Sequence, residues 1–213
     1  MPTYPRVALI DYGAGNLRSV AKALERSGLG VEWTADAAGV ARADAVVLPG
    51  VGAFAAAAAN LRAKGMDEAV RTAIESGRPY LGLCLGLQLL FEDSDEHALT
   101  RGLGLLRGHV RRFPERVAGQ PLRVPHIGWN EVRWSGEHPM RSALPERDVY
   151  YFVHSYRALP GDASDQAGTC DYGGAFAAAV AHRNVFAVQF HPEKSQAAGK
   201  RLLDAFATWV RAC

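Results

Sequence analysis

Cys84 lies in Leu81-Gly82-Leu83-Cys84-Leu85-Gly86, which ends an apolar run that follows Gly77-Arg78-Pro79. This is the glycine–X–nucleophile–X–glycine pattern of a strand-to-helix elbow, with a thiol where many hydrolases place a hydroxyl. Glycines on both sides give the apex room, and the helix start beyond it favours thiolate through its positive dipole end. That help matters, because a free cysteine with a reference pKa of about 8.5 is mostly thiol at neutral pH. Cys170 and Cys213 have no comparable surroundings and read as structural.

A thiolate nucleophile needs a proton-transfer partner, and that partner needs orienting. Of the seven histidines, His191 in His191-Pro192-Glu193, just beyond the strand ending at Phe190, meets the need. Pro192 restricts the residue before it to extended geometry and fixes its own φ, so His191 and Glu193 are stiffly linked. Glu193 can then accept from one imidazole nitrogen while the other faces the thiol. Both groups fall at strand ends, where open parallel sheets carry their sites. Donors for a developing oxyanion are the backbone N–H of Leu85 and the glycine-rich turn Pro49-Gly50-Val51-Gly52, at Gly50, Val51 and Gly52. The chemistry is that of a cysteine hydrolase or acyl-transfer enzyme, with the acyl group left open.

The elements that must position these residues follow from hydrophobic periodicity. Val7–Ile10, Gly30–Trp33, Ala45–Leu48, Tyr80–Leu83 and Phe186–Phe190 read as buried strands. Leu17 to Leu24 with a stop at Gly28, Phe54–Ala63, Met66–Ser76 and Leu202–Val210 read as helices. The expected fold is α/β: a three-layer, mostly parallel central sheet with helices on both faces. From about Leu105 to Asp171 short strands alternate with Gly, Pro and Trp, an antiparallel excursion in the second half. No linker or repeat divides residues 1–213, which read as one domain, and no G-x-G-x-x-G stands in dinucleotide-binding context.

Composition bounds the function. A net charge of +2 over 213 residues gives no footing for nucleic acid or an anionic membrane. Three widely spaced cysteines argue against a disulfide framework and for a reducing compartment. The N-terminus lacks the pattern of a secretory signal, and no apolar stretch approaches the roughly 20 residues of a membrane helix. The expectation is a cytoplasmic protein without metal or cofactor.

Gly82-Leu83-Cys84-Leu85-Gly86-Leu87-Gln88 together with His191-Pro192-Glu193 resembles the triad-class (class I) glutamine amidotransferases. Four more segments resemble the glutaminase subunit of imidazole glycerol phosphate synthase within that class: Ile10–Asn16, Pro49–Phe54, Pro125–Asn130 and Tyr151–Tyr156. With Lys194 after Glu193, the resemblance covers nearly the whole chain. It implies that Cys84 attacks the side-chain amide of glutamine, that His191 protonates the departing ammonia, and that water releases glutamate. It places Gln88, Glu96, Ser155 and Tyr156 at the amino-acid end of glutamine, a carboxylate suiting the α-amino group and hydroxyl or amide donors the α-carboxylate. It also implies a heterodimer with a (β/α)8-barrel synthase, which uses the ammonia to form imidazole glycerol phosphate and aminoimidazole carboxamide ribonucleotide in histidine biosynthesis. Asn16, Trp129, Asn130 and Lys194 are its implied interface residues. The turn at Gly50 to Gly52 is the candidate gate, since a peptide with glycine beside it can flip cheaply. The alternatives are a glutaminase serving a different synthase, a related cysteine hydrolase, or a non-catalytic regulatory subunit; the Asp11-Tyr12-Gly13 segment and Lys194 argue against the first two, the intact Cys84, His191 and Glu193 against the last.

Overall fold

Alternate residues of the short apolar runs face opposite ways, and each face acquires its own cover. Val7, Leu9, Val47, Leu81, Leu83 and Val188 point into one hydrophobic layer, Ala8, Ile10, Val46, Leu48, Tyr80 and Ala187 into the other. The computed structural model describes residues 4–13 and 16–213. On the first face lie the helices Leu17–Glu25, which buries Leu17, Val20, Ala21 and Leu24, and Gln196–Ala212. On the second lie Ala37–Arg42, Phe54–Ala63 and Met66–Glu75. Both faces are therefore dry, which is why these strands are uniformly apolar rather than alternating.

Among the described residues the central sheet has nine strands, in the order Arg147–His154, His126–Trp134, Gln166–Asp171, Ala175–His182, Val185–Val188, Tyr80–Leu83, Ala45–Leu48, Arg6–Ile10 and Gly30–Thr34. The four pairings from Val185–Val188 to Gly30–Thr34 are parallel. The other four are antiparallel, so the excursion expected in the second half extends the same sheet and leaves it mixed. A smaller sheet, in the order Tyr156–Pro160, Gly108–Arg112, Asp93–Ser94 and Thr100–Arg101, stands beside it. Among the described residues no helix is long and apolar enough to cross a membrane.

Three elements differ from the sequence reading. The strand expected through Phe190 stops at Val188, where the Gln189 N–H turns to the Ala178 carbonyl (2.8 Å) and the His191 N–H reaches the Tyr151 carbonyl (2.9 Å). The short helix Ala37–Arg42 was not expected; its start is closed by the Asp36 side chain, which accepts from the Gly39 N–H at 2.7 Å. The last helix begins at Gln196 rather than Leu202, its first turn lacking the apolar periodicity that marks the rest.

The elbow fixes how close two elements come. A side-chain carbon at Gly86 would overlap the Leu48 carbonyl oxygen, and the Tyr80 hydroxyl donates to the Gly86 carbonyl at 2.8 Å. Gly86→Ala should therefore cost about 1–3 kcal/mol or more in unfolding free energy, measured by urea titration. Burial gives a second prediction. It holds His126 and His138 down to about 4 and His154 to about 3, all below the unfolded value of about 6.5. Below 6.5 these three sites bind more protons in the unfolded chain than in the folded one, so their contribution to stability is full above 6.5 and falls as pH drops toward 4. Urea titrations at several pH values should show a loss approaching about 1.4 kcal/mol per pH unit for each of the hydrogen-bonded pair His126 and His154.

Candidate active site

Cys84 ends the Tyr80–Leu83 strand and starts the single-turn helix Leu85–Gln88, with φ 52° and ψ −102°. A non-glycine residue in that region is strained by about 1–3 kcal/mol and must be held there by its surroundings. Its N–H donates to the Val188 carbonyl at 2.8 Å, tying the apex to the strand that delivers His191. The thiol is nearly buried, at 7% exposure.

His191 and Glu193 form the pair that the stiff link implied: Nδ1 lies 2.9 Å from Glu193 Oε1, with both side chains buried. A carboxylate only accepts, so Nδ1 carries the proton and Nε2 is the free position. Burial opposes the charged ring, but the Cys84 thiol and the Glu193 carboxylate beside it outweigh burial and raise its pKa to about 10. His191 is thus poised as an imidazolium at neutral pH, a proton donor next to the sulfur. Ser195, unremarked in the sequence, braces this loop. Its Oγ donates to the His191 carbonyl (2.6 Å) and accepts from the Tyr151 N–H (3.0 Å).

Cys84, Leu85, Val51, Gly52, Gln88, Glu96, Ser155 and Tyr156 line one cavity of about 340 Å³, at the small end of the usual range for small-molecule sites. A narrow crevice behind the Gly50–Val51 peptide is lined by Asn16, Gly50, His191 and Glu193. The expected binding residues converge, with two adjustments. Gln88 Nε2 donates to the Tyr156 carbonyl and to Gln189 Oε1, each at 3.1 Å. Both its amide hydrogens are used, so it offers the cavity an acceptor and not the carboxylate donor expected; the Ser155 and Tyr156 hydroxyls remain as donors. Burial first, and the Glu96 carboxylate second, raise the Tyr156 pKa and keep that hydroxyl protonated. Glu96 is also tied to the backbone of the neighbouring turn. Its Oε2 accepts from the Phe54 N–H at 2.6 Å, at the start of the helix that follows the Gly50–Gly52 turn.

The two elements expected to supply oxyanion donors face each other, and a hydrogen bond between them leaves neither donor free for the site. The Leu85 N–H donates to the Gly50 carbonyl at 3.4 Å, so the Gly50–Val51 peptide turns its oxygen, and not its N–H, toward the site. Gly50 is required there, since a side-chain carbon would overlap the Tyr12 hydroxyl and crowd Leu85.

The surface residues divide. Trp129 is 46% exposed and packs edge-on against Tyr151, over whose ring the Lys194 ammonium sits at 5.8 Å. Ile127, on the same strand face, is also exposed. Asn130 stands apart, because neighbours in a strand point to opposite faces; its side chain donates to the Asp171 carbonyl at 3.4 Å. Asn16 is exposed beside the crevice, while Ala14 and Gly15 of the same segment lie outside the described residues. Among the described residues no group of three or more His, Cys, Asp and Glu is placed to hold a metal ion.

The family model for class-I glutamine amidotransferases matches residues 8–208. The chain is 51% identical to the imidazole glycerol phosphate synthase subunit HisH of Methylococcus capsulatus, covering 95% of this chain and 96% of that one. It is 50% identical to the subunit of the same name from Syntrophotalea carbinolica, covering 94% and 98%. The structure of PurLQS from Thermotoga maritima superposes with a TM-score of 0.75 over 97% of this chain and 99% of that chain at 19% identity, a likeness of fold. With this agreement across nearly its full described length, the chain belongs to the class-I glutamine amidotransferases, in the family of HisH subunits of imidazole glycerol phosphate synthase.

Proposed function

We propose that this chain hydrolyses glutamine to glutamate and ammonia and supplies the ammonia to a (β/α)8-barrel synthase in histidine biosynthesis. The observation that carries the reading is the thiol of Cys84 opening on an amino-acid-sized cavity beside a His191–Glu193 pair 2.9 Å apart. In this reading residues 1–213 act as one glutaminase domain. Cys84 sulfur attacks the amide carbon of glutamine while Glu96 meets the α-amino group and the Ser155 and Tyr156 hydroxyls meet the α-carboxylate. The carbon–nitrogen bond breaks as His191 gives its proton to the leaving ammonia, leaving a thioester on Cys84. Water then attacks that carbon, His191 takes the water's proton, and glutamate departs with the sulfur restored.

The developing oxyanion needs two donors, the Leu85 N–H and the Val51 N–H. The bond between the Leu85 N–H and the Gly50 carbonyl supports a gate: the Gly50–Val51 peptide must turn over before both face the substrate oxygen. The exposed Ile127, Trp129 and Lys194 around half-buried Tyr151 support a partner seat, and exposed Asn16 beside the crevice it shares with His191 supports a second contact.

Cys84→Ala should abolish glutamine-driven synthesis by the reconstituted complex, while synthesis from added ammonium salts persists; loss of both would sink this division of labour. The isolated chain should hydrolyse glutamine slowly and speed up when the synthase and its nucleotide are added. High activity of the isolated chain would remove the gate. Trp129→Ala should weaken the complex by about 2 kcal/mol or more, read by calorimetric titration, with little change in thermal stability.

A further inference from the structure

Gln189 is fully buried, and it is the one polar side chain in the run Phe186–Phe190. Burying a carboxamide is costly unless its donors and acceptors are met. Its Oε1 accepts from Gln88 Nε2 at 3.1 Å, and its Nε2 lies 3.6 Å from Cys84 Sγ. Which end faces the sulfur is dictated from a distance. The Tyr156 carbonyl can only accept, so Gln88 must turn its nitrogen toward it, at 3.1 Å. That same nitrogen then faces Gln189, which must answer with its oxygen, and the Gln189 nitrogen is left for the sulfur.

The anchor of this chain is itself held. The second lone pair of the Tyr156 carbonyl takes the His154 Nδ1–H at 2.8 Å. His154 Nε2, thereby an acceptor, takes the His126 Nδ1–H at 3.0 Å. His126 is clamped between the rings of Phe152 and Tyr172, at 4.7 and 3.9 Å. Every donor and acceptor from His126 to Cys84 therefore has one allowed direction, and it delivers an N–H to the nucleophile.

We propose that Gln189 is a positioning residue for the nucleophile: its carboxamide, locked in one orientation by Gln88, donates an N–H to Cys84 Sγ, aiming the sulfur and favouring its thiolate form. An N–H donated to sulfur strengthens when the sulfur becomes an anion, so the contact favours thiolate over thiol. His191 approaches the sulfur as the proton carrier, whereas Gln189 has no proton to lose and serves only to orient. The proposal rests on the reading of Cys84 as the nucleophile of a glutaminase.

Gln189→Met keeps length and removes the donor; Gln189→Glu replaces the donor with an oxygen. The rate of Cys84 alkylation by iodoacetamide, followed across pH by mass spectrometry of its peptide, reads the thiolate directly, and exposed Cys213 is an internal reference. The alkylation midpoint of Cys84 should rise by about one pH unit or more in Gln189→Met and further in Gln189→Glu, with Cys213 unmoved. In the complex, glutaminase kcat should fall about ten-fold in Gln189→Met, with KM changing less. A folded Gln189→Met with an unmoved midpoint overturns the proposal. Should that variant fail to fold, ¹⁵N spectra of the wild-type chain decide: the Gln189 side-chain amide must shift as Cys84 is alkylated, and an unmoved signal overturns the proposal. Glutaminase activity retained in Cys84→Ala would instead strike the underlying reading, whatever the alkylation profile.

Discussion

The site depends on one local constraint, the positive φ of Cys84 at the junction of strand and helix. A residue strained by about 1–3 kcal/mol stays there only if its neighbours leave it no alternative. They do so by close approach. Gly86 lies against the Leu48 carbonyl, Tyr80 donates to the Gly86 carbonyl, and the Cys84 N–H is taken by Val188. These contacts join three adjacent parallel strands at their carboxyl ends. The Val188 contact also sets the level at which the chain leaves the sheet, and so where Gln189, His191 and Glu193 arrive. The strain at the apex and the placement of its partners thus have one cause.

The two halves of the mixed sheet divide the work. The parallel half supplies the apex and the Gly50–Gly52 turn, both at strand ends covered by helices. The antiparallel half supplies the wall opposite through His154 and Ser155 at the end of Arg147–His154, and the smaller sheet adds Tyr156 at the start of Tyr156–Pro160. Ser195 binds the halves together, one hydroxyl serving both the His191 loop and Tyr151. The buried, neutral histidines of that wall are a cost of the design. A histidine chosen for a one-way hydrogen bond in the core is also a group that acid turns against the fold.

Much of this was legible in the residues, for reasons that also explain what was not. Tyr80–Leu83 and Phe54–Ala63 read correctly to their ends because strong punctuation brackets them: a proline before the strand, Gly65 after the helix. The Cys84 elbow and the His191–Glu193 link are local patterns, visible without tertiary knowledge. Gln189 was hidden inside an apolar run, where one amide looks like an edge residue; the signal present was its spacing of two from His191. Gln88 was assigned a donor role because a sequence shows which hydrogens a side chain has and not which are already used. Asn130 was grouped with Trp129 by the family resemblance, which carries no information on the strand alternation that turns their side chains to opposite faces.

The bond from the Leu85 N–H to the Gly50 carbonyl has a further meaning. In the proposed reading, a protein oxygen occupies the direction in which the substrate oxygen would point, so the chain carries its own internal competitor. At 3.4 Å the bond is long, and an ordinary hydrogen bond contributes only about 1 kcal/mol net. An occupancy bias of that size disfavours the open form about five-fold, and the apparent affinity for anything requiring both oxyanion donors falls by the same factor. In that reading, hydrolysis in the resting chain is restrained at an energy small enough for a single new contact at the surface to reverse.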